Sequence, residues 1–259
     1  MRVAFSTILL AGGYGTRLYP MTKDRPKALL ALGRQVILEP LLEALDEVPG
    51  REQTILVTNH RFFPQVSGWQ QASGRAIDLI DNGTETNETR LGAIRDLRLA
   101  LERIDPRLDA LILGTDNLFS WSLREFVERA QAKRPSASVA VYDLGSLEDA
   151  RQCGVAVLDP EGRIVQCVEK PAHPPSTLVL LCVYYLPSAV RPRVDEFLAG
   201  GGNGDAPGFF IEWLSKQEPV YGQRTAGLWF DIGTPEAYQQ AVQSWLSQPT
   251  VRPSGLKSR

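Results

Sequence analysis

Cysteine is scarce in this chain: Cys153, Cys167 and Cys182 are the only three in 259 residues, and no two form a CxxC pair. An odd count without ligand spacing excludes a disulfide framework and a structural zinc site, and fits a reducing, cytoplasmic setting. Histidine is scarcer still. His60 and His173 stand alone, with no serine or cysteine nucleophile motif to accompany them, and read as surface or structural residues. Net charge is almost absent, since 28 Lys and Arg against 30 Asp and Glu give −2. A general nucleic-acid binder needs a basic face, so nucleic acid is not an expected partner, while small local phosphate sites stay open. No run reaches the ~18 apolar residues that span a bilayer, and no membrane partner is expected. The apolar start, Val3–Ala11 behind Met1 and Arg2, has the outline of a secretory leader. It is short, lacks a small-x-small cleavage site and flows into Gly12-Gly13-Tyr14-Gly15-Thr16-Arg17, so it reads as a buried strand feeding a glycine turn.

What the chain has is alternation. Apolar, β-branched runs at Val3–Ala11, Thr54–Thr58, Ile77–Asp81, Leu108–Leu113 and Ser138–Tyr142 predict strands. Between them, Val36–Val48, Phe62–Ala72, Arg90–Ile104 and Ser122–Arg134 carry helical spacing. In the third, Leu91, Ile94, Leu97, Leu101 and Ile104 form the apolar stripe, and Arg95, Asp96 and Glu102 fall on the opposite, polar face. This order predicts a doubly wound α/β first half. The second half predicts a hairpin of Val155–Leu158 and Arg163–Val168 around Asp159-Pro160-Glu161-Gly162, then a strand at Leu178–Leu186. Helices follow at Pro187–Leu198, Gly208–Lys216 and Thr234–Leu246, with Gly200–Gly204 as a plain flexible linker. The expected organisation is one mixed-sheet domain over 1–247 and a flexible polar tail over 248–259.

Three strings carry chemistry. Leu10-Ala11-Gly12-Gly13-Tyr14-Gly15-Thr16-Arg17-Leu18, with Pro26-Lys27 beyond, places glycine backbone and two cations after the first strand. Glycines let backbone N–H groups approach an oxyanion, and Arg and Lys supply a planar fork and a mobile point charge. A Walker loop is excluded because Gly-Lys-Ser/Thr is missing, and a dinucleotide fingerprint because Leu18 stands where its third glycine belongs. The second string, Gly114-Thr115-Asp116-Asn117, follows a buried strand, on the rim where open α/β sheets bind ligands. With Asp231 of Gly227-Leu228-Trp229-Phe230-Asp231-Ile232-Gly233-Thr234, it offers the carboxylates a magnesium ion needs. Taken alone, each Asp reads equally well as a turn former or a helix-capping charge. The third string joins Cys153-Gly154-Val155 to Val168-Glu169-Lys170-Pro171, which by itself is an ordinary solvated charge pair.

Together these strings resemble the sugar-1-phosphate nucleotidylyltransferases, the group of glucose-1-phosphate thymidylyl-, cytidylyl- and uridylyltransferases, from Ile8 to Tyr238. The resemblance implies a single Rossmann-like, glycosyltransferase-A-type α/β domain with a mixed, mainly parallel sheet. It implies a magnesium-dependent enzyme whose substrates are a nucleoside triphosphate and a sugar 1-phosphate, with self-association left open. By it, Leu10, Ala11, Gly12 and Gly13 hold the nucleotide, Arg17 the β- and γ-phosphates, and Lys27 the reacting phosphates. Asn82, Gly92 and Asn117 join them as substrate contacts, Gly154 and Glu169 meet the sugar, and Lys170 its phosphate. Asp116 and Asp231 would carry Mg²⁺.

The chain departs from the family pattern at Thr115, where glycine is usual. The stretch Asp81–Gly92 lacks the thymidylyltransferase base-contacting string and is nearer the cytidylyltransferases, which favours a pyrimidine donor and CTP among pyrimidines. The chain also ends soon after the last motif, so control through a C-terminal extension is not expected. Two other readings keep the fold: a catalytically silent ligand-sensing subunit, and a cytidylyltransferase for a phosphocholine-like or phosphonate headgroup, caged by Trp229, Phe230 and Tyr184. The first is disfavoured because Arg17, Lys27, Asp116, Lys170 and Asp231 are all present.

Overall fold

The structure, a computed structural model, describes residues 3–247, so the polar tail at 248–259 lies outside the described residues. The apolar start forms strand β1 (Phe5–Ala11), and a small ribbon of β2 (Ala31–Leu32) and β3 (Gln35–Val36) follows the glycine turn. Helix α1 (Leu38–Asp46), strand β4 (Arg51–Thr58), helix α2 (Phe63–Ser73) and strand β5 (Asp78–Asp81) come next. Then come α3 (Ala93–Leu101), β6 (Asp109–Gly114), the short β7 (Asn117–Phe119), α4 (Leu123–Ala132) and β8 (Ala137–Asp143). The second half holds α5 (Leu147–Ala150), β9 (Gly154–Leu158), β10 (Ile164–Glu169) and β11 (Leu178–Leu186). It closes with α6 (Arg193–Ala199), α7 (Pro207–Gln217), β12 (Val220–Arg224), β13 (Trp229–Asp231) and α8 (Pro235–Ser247).

The main sheet is mixed and mostly parallel. Its order is β10-β9-β11-β6-β1-β4-β5, with β8 pairing β11 and β12. β6, β1, β4 and β5 run parallel, while β11 lies antiparallel to β6, β8 and β9. Side-chain alternation divides the core into two layers. Phe5 and Leu9 of β1 pack with α1, α2 and α4, whereas Ile8 packs with α3, α6 and α7. The chain leaves β1 toward β4 and later returns to β1's other side as β6, so the strand order reverses between them. That reversal opens a crevice beyond their carboxyl ends, the place where open α/β sheets bind ligands. No helix of the described residues is long and apolar enough to cross a membrane.

Several expectations need correction. Val36 belongs to β3 rather than to a helix, and the helix expected from Pro187 begins only at Arg193, because a second proline, Pro192, interrupts the segment before it. Asp96 is buried at 5 % exposure rather than facing solvent. Gly200–Gly204 is not a plain linker: the Gly204 carbonyl accepts Ile94 N–H at 3.0 Å and that of Asp205 accepts Ala93 N–H at 3.3 Å. The first turn of α3 has no side-chain cap, and these carbonyls take its orphan donors. The approach is close enough that a Cβ on Gly92, whose φ is +89°, would stand 2.5 Å from the Gly204 oxygen. Strands β7, β12 and β13 carry no strong signal in the sequence.

Candidate active site

The glycine turn after β1 is held from outside. Asn59 Nδ2 donates to the Gly12 carbonyl at 3.1 Å while Asn59 Oδ1 accepts Phe62 N–H, and Thr22 Oγ1 donates to the Gly15 carbonyl at 2.7 Å. Leu10 and Ala11 end β1, and Gly13 is open to solvent. A single 3₁₀ turn, Thr16–Leu18, buries Leu18 against Ile232 and α8 while Arg17 remains exposed. The Arg17 guanidinium lies over Gly233, 3.5 Å from where a Cβ would stand. A second such turn starts at Pro26 and presents Lys27, whose Nζ meets Asp116 Oδ2 at 2.8 Å.

Asp116 and Asp231, 115 positions apart in a chain whose spacing gives no hint of contact, are joined by the β7–β13 ribbon. Asp231 is in register with Asn117, and Ile232 N–H donates to the Asp116 carbonyl at 3.0 Å. Asn117 is buried and fully engaged: Nδ2 donates to Asp116 Oδ1 at 2.9 Å, and Oδ1 accepts the Trp229 indole N–H at 2.8 Å. It orients Asp116, its second amide hydrogen pointing to the Gly114 carbonyl at 3.4 Å. Thr115 extends the ladder, its N–H and hydroxyl both donating to the Leu10 carbonyl. The tight position is Gly114, where a Cβ would stand 2.9 Å from Asp116 Oδ1, Asn117 Nδ2 and Cys182.

The electrostatics differ between the two acids. Burial pushes the Asp116 carboxyl up, but the charge and hydrogen bond of Lys27 outweigh it and hold the group below its ordinary value. Asp231 accepts no side-chain hydrogen bond among the described residues. Asp231 is exposed on the rim, yet crowding by the surrounding protein atoms, then the charge of Asp116, lift it to about 6, against the pull of Lys27, Arg17 and Lys170. These five residues therefore share one electrostatic environment on one rim.

Glu169 ends β10 and Lys170 follows it, beside them. Glu169 is paired with Gly154 across the hairpin, and its carboxylate lies between Gly154 and Gly208, where a Cβ on Gly208 would overlap Oε2. Its own N–H donates to Glu212 Oε2 at 3.0 Å. Burial raises the carboxyl, against the pull of Lys170. Lys170 is the one non-glycine residue with positive φ, 48°, among the described residues, a conformation that concentrates at functional sites.

On the other side of the glycine turn stands Asn82, just after β5. Its Oδ1 receives Thr84 N–H and hydroxyl, and its Nδ2 donates to Asp96 Oδ1 at 2.8 Å. The sequence reading missed Asp96, Asn59 and the Trp229 indole, because each acts through a partner remote in the chain. The aromatic cage that the alternative headgroup reading would need does not form. Trp229 packs on the layer of α1, α2 and α4, Tyr184 lies in the layer of α3, α6 and α7, and Phe230 packs under α8.

A family model described as nucleotidyl transferase matches residues 6–248. The chain is 25% identical over 256 residues to a low-salt glycan biosynthesis nucleotidyltransferase of Haloferax volcanii, covering 97% of this chain and 69% of the relative. It is 28% identical over 186 residues to a UTP–glucose-1-phosphate uridylyltransferase of the same organism, 71% of this chain and 72% of the relative. Among solved structures, UDP-glucose pyrophosphorylase in complex with UDP-glucose superposes with a TM-score of 0.78 at 20% identity, over 94% of this chain and 99% of that one. That likeness shows the fold, a Rossmann-like, glycosyltransferase-A-type domain.

Proposed function

The chain belongs to the nucleotidyl transferase family, and from that premise we propose that it joins a nucleoside triphosphate to a sugar 1-phosphate, releasing pyrophosphate. The observation that carries the proposal is the gathering of Arg17, Lys27 and Lys170 around Asp116 and Asp231, with no histidine among them. Two polyanions must meet in such a reaction, and the attacking oxygen is already an anion, so charge neutralisation and alignment matter more than proton transfer. An oxygen of the sugar phosphate forms a bond to the α-phosphorus, the bond from that phosphorus to the β-phosphate oxygen breaks, and the electron pair leaves with pyrophosphate.

In this reading Leu10 to Gly13 present backbone to the nucleotide, Arg17 grips the β- and γ-phosphates and Lys27 the reacting phosphates. Glu169 accepts hydrogen bonds from sugar hydroxyls beside Gly154, and Lys170 binds the sugar phosphate. The two aspartates fit a magnesium ion, since Asp231 is a carboxylate with no hydrogen-bond or ion-pair partner among the described residues, its proton affinity raised by crowding and then by its neighbour's charge. Magnesium takes one or two carboxylates and completes its shell with phosphate oxygens and water, and when bound it would offset charge on the phosphates. The donor is a pyrimidine triphosphate, read between the glycine turn and the segment from Asn82 to Gly92.

Substrate-specific kinetics test the assignment. Arg17→Ala should raise KM for the triphosphate and Lys170→Ala KM for the sugar phosphate. If both raise only the triphosphate KM, Lys170 has been misassigned.

A further inference from the structure

Asp96 is a buried carboxylate that the reaction does not use and that no cation pairs with among the described residues. Its Oδ1 accepts the Asn82 amide, and Asn82 is itself fixed by Thr84, whose hydroxyl receives the Tyr14 O–H at 3.0 Å. This chain of bonds sets the carboxylate plane. No donor among the described residues reaches Oδ2, which lies against Gly12 where a Cβ would overlap it. Burial lifts the carboxyl to about 6, so near pH 7 the group is mainly ionised and can only accept. Oδ2 is not sealed off, so in this otherwise buried carboxylate it is the oxygen open to a donor from outside the protein, and a bound ligand that covers it must supply one. Gly12 belongs to the turn assigned to the nucleotide, so the donor that reaches Oδ2 comes from the base.

We propose that Asp96 determines base specificity, its Oδ2 accepting a hydrogen bond from the exocyclic amine of cytosine. The inference rests on the nucleotidyl-transfer reading above and names its donor substrate. One free oxygen calls for one N–H donor. Cytosine offers it at its 4-position, and carboxylates pair with that amine elsewhere in base recognition. Uracil and thymine carry a carbonyl oxygen at the same position, which would leave two acceptors facing each other out of water. Guanine's adjacent N1–H and N2–H groups suit both oxygens of a carboxylate, but Oδ1 is already occupied.

Pyrophosphate release, measured as kcat/KM for CTP, UTP, dTTP, ATP and GTP with a sugar 1-phosphate panel, tests this in the wild type and in Asp96→Asn. In that variant the amide nitrogen takes the place of Oδ2 and donates, while its oxygen still receives Asn82. The wild type should prefer CTP over UTP by at least about tenfold, a modest demand on a site that hydrogen-bonds its ligand. Asp96→Asn should move the CTP/UTP ratio toward UTP by at least about tenfold. A loss shared equally by both triphosphates, as a purely structural role would give, would overturn the inference, as would a wild type that prefers any of the other four. The wild type with the 2-pyrimidinone ribonucleoside triphosphate, which lacks the 4-amine, gives a readout independent of any variant. Its kcat/KM should fall at least about tenfold below that of CTP, and parity with CTP would contradict the proposal. No turnover of any triphosphate would overturn the nucleotidyl-transfer reading itself.

Discussion

At the scale of single residues, the site sets two carboxylates against each other. Asp116 is held ionised by Lys27, and Asp231 stands beside it with its affinity for a positive charge raised. Asp116→Asn and Asp231→Asn should each fold and each lose at least ~10²-fold in kcat, the usual cost of removing one element of transition-state charge stabilisation. Circular dichroism with steady-state rates checks both, and a variant retaining wild-type kcat would remove that aspartate from the site. Asp96 makes a separate prediction about stability. Its carboxyl ionises at about 6 in the folded protein against an ordinary 3.8. Between those values the native state holds a proton that the unfolded chain has released, so this group's contribution to stability falls as pH rises through the window. Asp96→Asn should therefore be more stable than wild type at pH 7, by on the order of 2 kcal/mol, and close to wild type at pH 4. Urea midpoints at the two pH values measure this, and a variant less stable at pH 7 than at pH 4, relative to wild type, would contradict it. The residues proposed for the phosphates and the metal could be picked out of the sequence, because Arg17, Asp116 and Asp231 lie in glycine-containing strings beside strand or helix signals and Lys27 follows the first of them. Asp96 was not. Its spacing along α3 puts it with Arg95 and Glu102, and only Asn82, reached through the fold, turns it into a buried acceptor.

At the scale of elements, the parts that bring the site together are its shortest. The β7–β13 ribbon has three residues in each strand, too few for a period to show in the sequence, yet it sets Asp231 opposite Asn117. The long elements were easier to read, because β1, β4, β6 and β11 are buried runs and α1, α3 and α4 have clear apolar stripes. The start of α7 matters for a reason that helical periodicity does not carry. Gly208 leaves room for the Glu169 carboxylate, which is enclosed between it and Gly154. Gly208→Ala should displace Glu169 and raise the sugar phosphate KM by about tenfold or more, the cost of one lost hydrogen bond to a charged group. The triphosphate KM should stay within about twofold. Equal effects on the two substrates would mean that Glu169 does not meet the sugar.

At the scale of the whole molecule, the two ends of the central strands have different tasks. At the amino-terminal end of β6, Asp109 is wholly buried and saturated by Arg134, the Tyr185 hydroxyl and the Ser188 N–H, and Arg191 binds the carbonyls of Leu101, Ile104, Asp105 and Leu108. Every charge there is satisfied within the protein. At the opposite end the charges are only partly satisfied: among the described residues the Asp231 carboxylate accepts no side-chain hydrogen bond and Asp96 Oδ2 meets no donor, and the exposed Arg17 lies over a glycine. The alternating pattern of the first half made this sheet legible, while the placement of β12 beside β8 and the docking of Gly204 on α3 depend on contacts between distant segments. The gathering of Arg17, Lys27, Lys170, Asp116 and Asp231 on one rim, within a nucleotidyl transferase fold, is the basis for assigning the chemistry there. The most direct test incubates the wild-type protein and Mg²⁺ with CTP, UTP, dTTP, ATP or GTP and a panel of sugar 1-phosphates, following pyrophosphate and the nucleoside diphosphate sugar. The account predicts stoichiometric formation of both products, fastest with a pyrimidine triphosphate and abolished by excess EDTA. Triphosphate consumption without a sugar-nucleotide product, or full activity in EDTA, would contradict it.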